Sequence, residues 1–257
     1  MYMKDIFLSI IIPCYNEEEN LLRGVLSDIN KYLKTKKFVW EVIISNDGST
    51  DNSLKIIKDQ IRNFPKFKLV DNKHGGKPYA LWEGIGVAKG KYILFNDTDQ
   101  STPVSELEKL LPKVKPGVGA VIGSRGLERK NFPLYRKIGA LVFRAFRQIL
   151  ILPEISDTQC GFKLFESKLL NGIFPKLEFF RTLGKPVKGW KVTSFDVELL
   201  HIIKKAGAKI VEVEVGWQNE DISTGKGGSF KRYIKESYEM LVQILRVKLN
   251  DLRGLYD

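Results

Sequence analysis

The sequence predicts an α/β domain built on a mostly parallel sheet flanked by helices. Three observations carry this expectation. Short apolar, β-prone runs at 6–12, 40–44, 68–70 and 92–95 alternate with segments of helical length, which is the spacing of βαβ units. The run at 6–12 is continuously apolar rather than alternating, as in a strand covered on both faces. Most of the runs lead into Asp, Asn, Gly or Ser, the residues of turns and helix caps.

In order, the run at 6–12 stops at Pro13, and Tyr15-Asn16-Glu17-Glu18-Glu19-Asn20 opens a helix expected to run to about Tyr32, its early acids favoured by the macrodipole. Strand 40–44 leads into Ser45-Asn46-Asp47-Gly48-Ser49-Thr50-Asp51-Asn52, where Ser49, Thr50 or Asp51 can cap the next helix. After strand 68–70, Gly75-Gly76-Lys77-Pro78 starts a helix to about Ala88, and Tyr92–Phe95 is the fourth strand. A helix over 105–111 and a strand over 120–123 lead to Ser124-Arg125. A long helix over 134–152 sets Arg136, Lys137, Arg144 and Arg147 among bulky apolar residues, followed by a polar loop at 155–161 and a short strand at 162–165. Segment 174–193, with Gly184, Pro186 and Gly189, lacks periodicity and reads as a loop or insertion. A helix over 195–206, a half-exposed strand alternating from Lys209 to Val215, a glycine-rich loop at 225–229 and a basic amphipathic helix from Phe230 to about Leu252 complete the chain.

Composition bounds the class. With 43% hydrophobic and 28% charged residues the chain is of ordinary globular type, and no apolar run reaches the length of roughly 18 residues that spans a bilayer, so a soluble or peripheral protein is expected. Residues 1–13 do not read as a cleaved leader. The 42 Lys and Arg against 30 Asp and Glu leave a net charge of +12, which suits phosphorylated substrates, anionic lipid or nucleic acid. Cys14 and Cys160 form neither a disulfide framework nor a metal spacing, consistent with a reducing, cytoplasmic setting.

The chemistry concentrates where the fourth strand stops, at Asn96-Asp97-Thr98-Asp99. Open α/β sheets bind ligands at the C-terminal edge of their strands. Along an extended chain the period of two sends Asp97 and Asp99 to the same side, where they can share a hard cation such as Mg²⁺ or Mn²⁺ that bridges phosphates. An isolated Asp-x-Asp is better explained by turn chemistry; its place at the end of a buried strand reverses that preference in favour of the metal. Asp47 ends the second strand at the same edge and can accept nucleobase N–H groups, while Tyr15 and Glu17 offer an aromatic face and a carboxylate. Asp51 reads as a cap, and Glu18 and Glu19 as solvated acids. Gly75-Gly76-Lys77 is not a Walker loop, although a helix start with a nearby Lys can face an anion. His74 and His201 have no metal-like companions and read as structural. Asp157 and Asp196 suit hydrogen bonds to sugar or acceptor, or equally loop polarity and a helix cap. Trp82, Trp190 and Trp217 read as core, with Trp217 able to edge the site.

The runs SIIIPCYNEEENL, EVIISNDGSTDNS and HGGKPYALWEGIGVAKGKYILFNDTD, followed by GSR (123–125), DTQCGFKLF (157–165) and SFDVELL (194–200), resemble family 2 glycosyltransferases. Within them the order is most similar to the dolichyl-phosphate sugar synthases, β-glucosyltransferases first and mannose synthases second. The resemblance implies a GT-A fold forming a single domain over 1–257. In it, 1–100 is the nucleotide-binding half, 101–229 the acceptor and sugar half, and 230–257 a C-terminal amphipathic helix facing a membrane. It implies inverting transfer from a nucleotide-diphosphate sugar, UDP-glucose foremost, to a polyprenyl or dolichyl phosphate, with Mg²⁺ or Mn²⁺. Pro13, Tyr15, Glu17, Ser45, Asp47, Lys77, Asp97, Thr98, Asp196 and Lys226 would bind the nucleotide sugar. Asp99 would hold the metal, with Asp97 as a second candidate, and Asp97, Asp99 and Arg125 would be catalytic. Arg125 and Arg136 would receive the acceptor phosphate. The protein would then be peripheral on the cytoplasmic face of a membrane, or recruited there by a membrane-anchored partner.

The chain departs from the pattern in Asn46 for an acid, Thr98 for Ala, Ser101 near the metal, Thr193 for an aromatic and the inserted look of 178–193. These changes leave the sugar open. GDP-mannose as donor, or a sugar or lipid hydroxyl as acceptor, are the alternatives within the class. A nucleotidyltransferase and a basic nucleic-acid-binding protein are the alternatives outside it. Acids clustered at strand ends speak against a nucleic acid as partner.

Overall fold

The computed structural model of the protein describes residues 5–126, 143–181, 195–218 and 230–256, with side chains of the last stretch from 238 onward. Among the described residues seven strands form one sheet: β1 (Leu8–Cys14), β2 (Trp40–Asn46), β3 (Phe67–Asp71), β4 (Tyr92–Phe95), β5 (Val118–Ser124), β6 (Lys163–Glu166) and β7 (Lys209–Glu214). Their spatial order is β3-β2-β1-β4-β6-β5-β7. β1 pairs in parallel with β2 and β4, β2 with β3, and β5 with β7, while β6 runs antiparallel between β4 and β5.

That single reversal organises the molecule. Because β6 is antiparallel to both neighbours, β5 runs parallel to β4, and the C-terminal ends of β1, β2, β4 and β5 open at one edge. The start of β6 lies at that same edge: Lys163 is in register with Phe95 of β4 and Ile122 of β5. Residues far apart in sequence therefore meet around the tip of β4.

Both faces are covered, as the continuous apolar runs require. Ile11, Ile43, Ile93 and Phe95 point into a core with Leu81, Ile85, Phe174 and Phe195, whereas Ile10, Ile12, Val42, Ile44 and Leu94 point into a second core with Leu26, Ile29 and Ile57.

Within the described residues the expected elements are present, with two corrections; residues 134–142 of the expected long helix and the glycine-rich loop at 225–229 lie outside them. The helix expected from the Tyr15 region to Tyr32 is two helices, Glu18–Leu22 and Val25–Lys34, broken at Gly24, whose φ of +86° lies in the left-handed region that glycine adopts without strain. Segment 174–193 is not simply a loop. A helix over Ser167–Ile173, a 3-10 turn over Phe174–Lys176 and a helix over Glu178–Arg181 precede residues outside the described set. Phe174 is fully buried, with its ring centroid 6.0 Å from those of Trp82 and Phe95 and 6.2 Å from that of Phe195. Aromatic packing, which leaves no period in the sequence, orders this segment.

The C-terminal helix Phe230–Leu252 docks through Ile244 and Val247, both buried in the core, and through charge. Arg246 bonds Glu178 and reaches Glu198 at 3.0 Å, and Tyr256 donates to Glu198 at 2.8 Å. Its other side leaves Tyr238, Val242, Leu245, Leu249 and Leu252 exposed, at spacings of four and three.

Candidate active site

At the ends of β1 and β2, side chains of one turn bind the backbone of the other. Ser49 Oγ accepts the N–H of Asn16 at 3.1 Å, Ser53 Oγ that of Glu17 at 2.8 Å, and Asp51 Oδ2 that of Glu18 at 3.2 Å. Asn16, at φ +54°, returns a bond by accepting the N–H of Thr50 at 2.8 Å. Asp51 is thus a fastener between two loops, and Glu17 is seated by its backbone while its carboxylate accepts from Asn20 at 2.5 Å.

Asp47, almost wholly buried, accepts the N–H of Gly75 at 2.8 Å and of Gly76 at 2.9 Å, with His74 Nδ1 2.9 Å from its second oxygen. The Gly75-Gly76 turn does face an anion, as a helix start can. That anion is the protein's own carboxylate, so clamping loop 74–76 comes before any contact Asp47 makes with a nucleoside. The clamp stacks His74 on Tyr15, ring centroids 4.2 Å apart, with Tyr15 41% exposed. His74 is therefore part of the site rather than a bystander.

Two expected ligand contacts have their side chains buried and engaged within the protein. Ser45 is fully buried, donating to the carbonyl of Ala80 at 2.6 Å and accepting from Asn72 at 2.9 Å. Thr98 is buried with its hydroxyl on the carbonyl of Pro13 at 2.9 Å. Both splice the scaffold under the site.

The pair Asp97 and Asp99 is also arranged differently from an extended strand. β4 ends at Phe95, and Gln100, at φ +53°, returns its N–H and side-chain amide to the carbonyl of Asp97 at 3.2 and 2.8 Å. The chain turns between the two acids, so the period of two no longer applies and each has its own surroundings. Asp97 lies on Gly161, where an added Cβ would fall 1.9 Å from its Oδ2, and accepts from Lys77 Nζ at 2.6 Å. Asp99 Oδ1 accepts the N–H of Ser101 at 2.8 Å, and its carbonyl accepts from Arg23 at 3.0 Å. Burial alone would raise the Asp97 carboxyl, but Lys77, with Lys163 and Arg125 behind it, holds it below the ordinary range. Burial opposes the charge on Lys77 likewise, and Asp97, Asp196 and Asp99 together keep it above the usual lysine value. The side chains of Lys77 and Asp97 are 37% and 38% exposed, so water screens this pair and it adds little to stability.

Beyond β4 the site is built from buried charge. Arg125, just past β5, grips Asp157 in a fork, Nε to Oδ2 at 2.7 Å and Nη2 to Oδ1 at 2.8 Å, and its backbone N–H adds a third bond at 3.1 Å. Burial disfavours both charges, yet Arg125 holds Asp157 well below the carboxylate range and is itself raised. The guanidinium lies 5.7 Å from the ring of Trp217, which does edge the site. Lys163, only 1% exposed, donates to Asp196 at 2.5 Å and to the carbonyl of Cys160. Asp196 is thereby tied inward rather than presented to solvent. The structure brings Asp97, Asp99, Lys77, Arg125, Asp157, Lys163 and Asp196 to one place; Arg136 and Lys226 lie outside the described residues. Sequence reasoning missed Lys163, although a lysine amid Phe162, Leu164 and Phe165 is a buried charge in want of a partner.

A sheet of this order, with one reversed strand beside an acid-tipped β4, has the architecture expected of the GT-A fold. A family model described as glycosyl transferase family 2 matches residues 9–174, and the chain belongs to that family. Among curated relatives, a dolichyl-phosphate beta-glucosyltransferase of Dictyostelium discoideum is 34% identical over 98% of this chain and 77% of its own. Those of Saccharomyces cerevisiae and Homo sapiens are 31% and 32% identical, over 98% and 82% of this chain and 77% and 67% of their own. Mannosyl-3-phosphoglycerate synthase from Rubrobacter xylanophilus superposes with a TM-score of 0.67 at 16% identity, over 97% of this chain and 75% of that one. Glucosyl-3-phosphoglycerate synthase from Mycobacterium tuberculosis, solved with Mn²⁺, uridine diphosphate and glucosyl-3-phosphoglycerate, superposes at 0.64 with 18% identity, over 94% and 80%. At these identities the solved structures establish the fold alone.

Proposed function

We propose that this glycosyltransferase moves glucose from UDP-glucose, with inversion, to the phosphate of a polyprenyl or dolichyl phosphate. The observation that carries the reading is the Arg125–Asp157 fork at the same sheet edge as Asp97 and Asp99. The names of the curated relatives support the substrates. A guanidinium aimed by a buried carboxylate keeps donors for a second anion, and planar forked donors match phosphate oxygens. At neutral pH a phosphate monoester is largely dianionic, since its second pKa is about 6. Its oxygen can attack the anomeric carbon while the bond to the donor diphosphate breaks and the nucleoside diphosphate leaves with the electron pair. No proton has to be removed, so no side chain is assigned as a general base. Attack opposite an α-linked leaving group gives a β product.

Tyr15 on His74, with Asp47, Pro13 and Glu17, is the proposed nucleoside end, and Lys77 stands between it and the reacting centre. Among the described residues no three His, Cys, Asp or Glu side chains gather into a complete metal cage. By resemblance to the Asp-x-Asp pair of the family, Asp99 is the assigned ligand for Mg²⁺ or Mn²⁺, with Asp97, which accepts from Lys77, as the second candidate. A hard oxygen donor of this kind fits a cation that completes its shell with water and diphosphate oxygens. Such a cation, when bound, would stabilise the charge that develops on the leaving diphosphate.

The acceptor's lipid calls for a membrane surface, yet no helix among the described residues is long and apolar enough to cross one. The exposed stripe from Tyr238 to Leu252, in a chain of net charge +12, supports peripheral attachment through the C-terminal helix. The test of the whole reading is a donor panel with a short polyprenyl phosphate and Mg²⁺ or Mn²⁺. UDP-glucose should be turned over with release of UDP. Turnover of GDP-mannose instead would reassign the donor, and release of pyrophosphate or no transfer to phosphate would overturn the reaction.

A further inference from the structure

Arg147 is 2% exposed, an unusual place for a guanidinium, and it touches neither Asp97, Asp99 nor Arg125 by hydrogen bond. It reaches instead from the helix at 143–150 into the loop that carries Asp157. Its Nη2 donates to the carbonyls of Ile155 at 2.9 Å and Ser156 at 2.7 Å, and its Nη1 to the hydroxyl of Thr158 at 3.1 Å. From the other side Glu212 of β7 accepts the next two N–H groups of the same loop, Ser156 at 2.8 Å and Asp157 at 2.6 Å. One cation holds the loop's carbonyls and one anion its amides, and between them stands the single residue that grips Arg125. Burial draws the Arg147 value down to about 10, which leaves it charged at neutral pH.

We propose that Arg147 and Glu212 are positioning residues for the reaction, a two-sided brace that sets the guanidinium of Arg125 through loop 155–158 and Asp157. The inference rests on the reading of Arg125 as the acceptor-phosphate contact. The physical reason for so heavy a brace is geometric. An error of about 1 Å at a group that orients a nucleophile costs about 100-fold in rate. Burying the Arg147 guanidinium is unfavourable unless it is well bonded, and the hydrogen bonds it makes all go to this loop. Opposed on one loop, Arg147 and Glu212 fix both its hydrogen-bonding edges.

The experiment uses the full chain with Glu212→Gln and Arg147→Lys, each alone and combined with Arg125→Ala. Kinetics would use UDP-glucose and a short polyprenyl phosphate, with calorimetric binding of UDP and of that phosphate alone. Each single variant should weaken phosphate binding and lower acceptor kcat/KM about tenfold or more, while donor KM and UDP affinity move less than about twofold. In the Arg125→Ala background the same substitutions should add nothing further, because the group they set is gone. Equal losses on donor and acceptor sides, or an undiminished effect in the Arg125→Ala background, would overturn the brace. So would normal acceptor use by both single variants in an enzyme that Arg125→Ala impairs. If Arg125→Ala itself leaves acceptor use intact, the phosphate reading fails and the brace with it, a result distinct from the others. Glu212→Gln keeps the shape of the side chain and one acceptor oxygen, so it carries the test should Arg147→Lys not fold.

Discussion

Asp47 and Asp157 are both buried carboxylates at the same sheet edge, 3% and 7% exposed, yet they are held by opposite means. Asp47 binds backbone N–H groups of a nearby turn, whereas Asp157, besides backbone N–H groups, binds the guanidinium of Arg125 just past β5. The proposed donor end is therefore fastened mainly by turn chemistry. The proposed acceptor end is fastened by ion pairs, Arg125 with Asp157 and Lys163 with Asp196. A surface built to receive a planar nucleoside needs shape; one built to receive a phosphate needs oriented cations.

The sharpest break should come at the seam between the two ends. Gly161→Ala would drive a methyl into the Asp97 carboxylate, and because the obstruction is one side-chain tip the fold should survive. Activity should fall about 100-fold with Tm little changed; a normal kcat would show that Asp97 has no fixed place in the reaction. Next in size, Asp157→Asn leaves a buried Arg125 without its counter-charge and should lower unfolding stability by about 3 kcal/mol in a denaturant titration. Asp47→Asn puts an amide against the Gly76 N–H and should cost about 1–2 kcal/mol, with weaker UDP binding and an unchanged acceptor KM. If the two variants impair donor and acceptor parameters alike, the division of labour is wrong.

The smallest effect is in pH. The folded Asp157 carboxyl lies below its unfolded value, so its contribution to stability is complete above the ordinary carboxylate pKa of about 4 and is lost as pH falls from there through the folded value. Wild-type Tm should stay level from neutrality to about pH 5 and then drop, and Asp157→Asn should flatten that drop. A parallel drop in the variant would assign acid sensitivity elsewhere.

The same contrast explains what was legible in the sequence. Strands β1 to β4 and the turns after them announce themselves by apolar runs ending in Gly, Asp, Asn and Ser, so the sheet and the roster of acids at its edge could be read locally. The Arg125–Asp157 and Lys163–Asp196 pairs join residues 32 and 33 positions apart. They depend on the reversal of β6, for which no short motif speaks. Asp97 and Asp99 were legible as a pair but not as separate environments, because the turn at Gln100 is a backbone event. Ser45 and Thr98 sit in strand-end positions that look like ligand contacts, and only their depth shows that they splice the scaffold.

In the proposed reaction Arg125 faces the acceptor phosphate while the nucleotide is held elsewhere. The direct measurement is the affinity of Arg125→Ala for UDP and for a short polyprenyl phosphate, each by calorimetry at neutral pH. UDP binding should stay close to wild type and phosphate binding should weaken at least about tenfold. Loss of UDP binding with phosphate binding retained would contradict this role of Arg125.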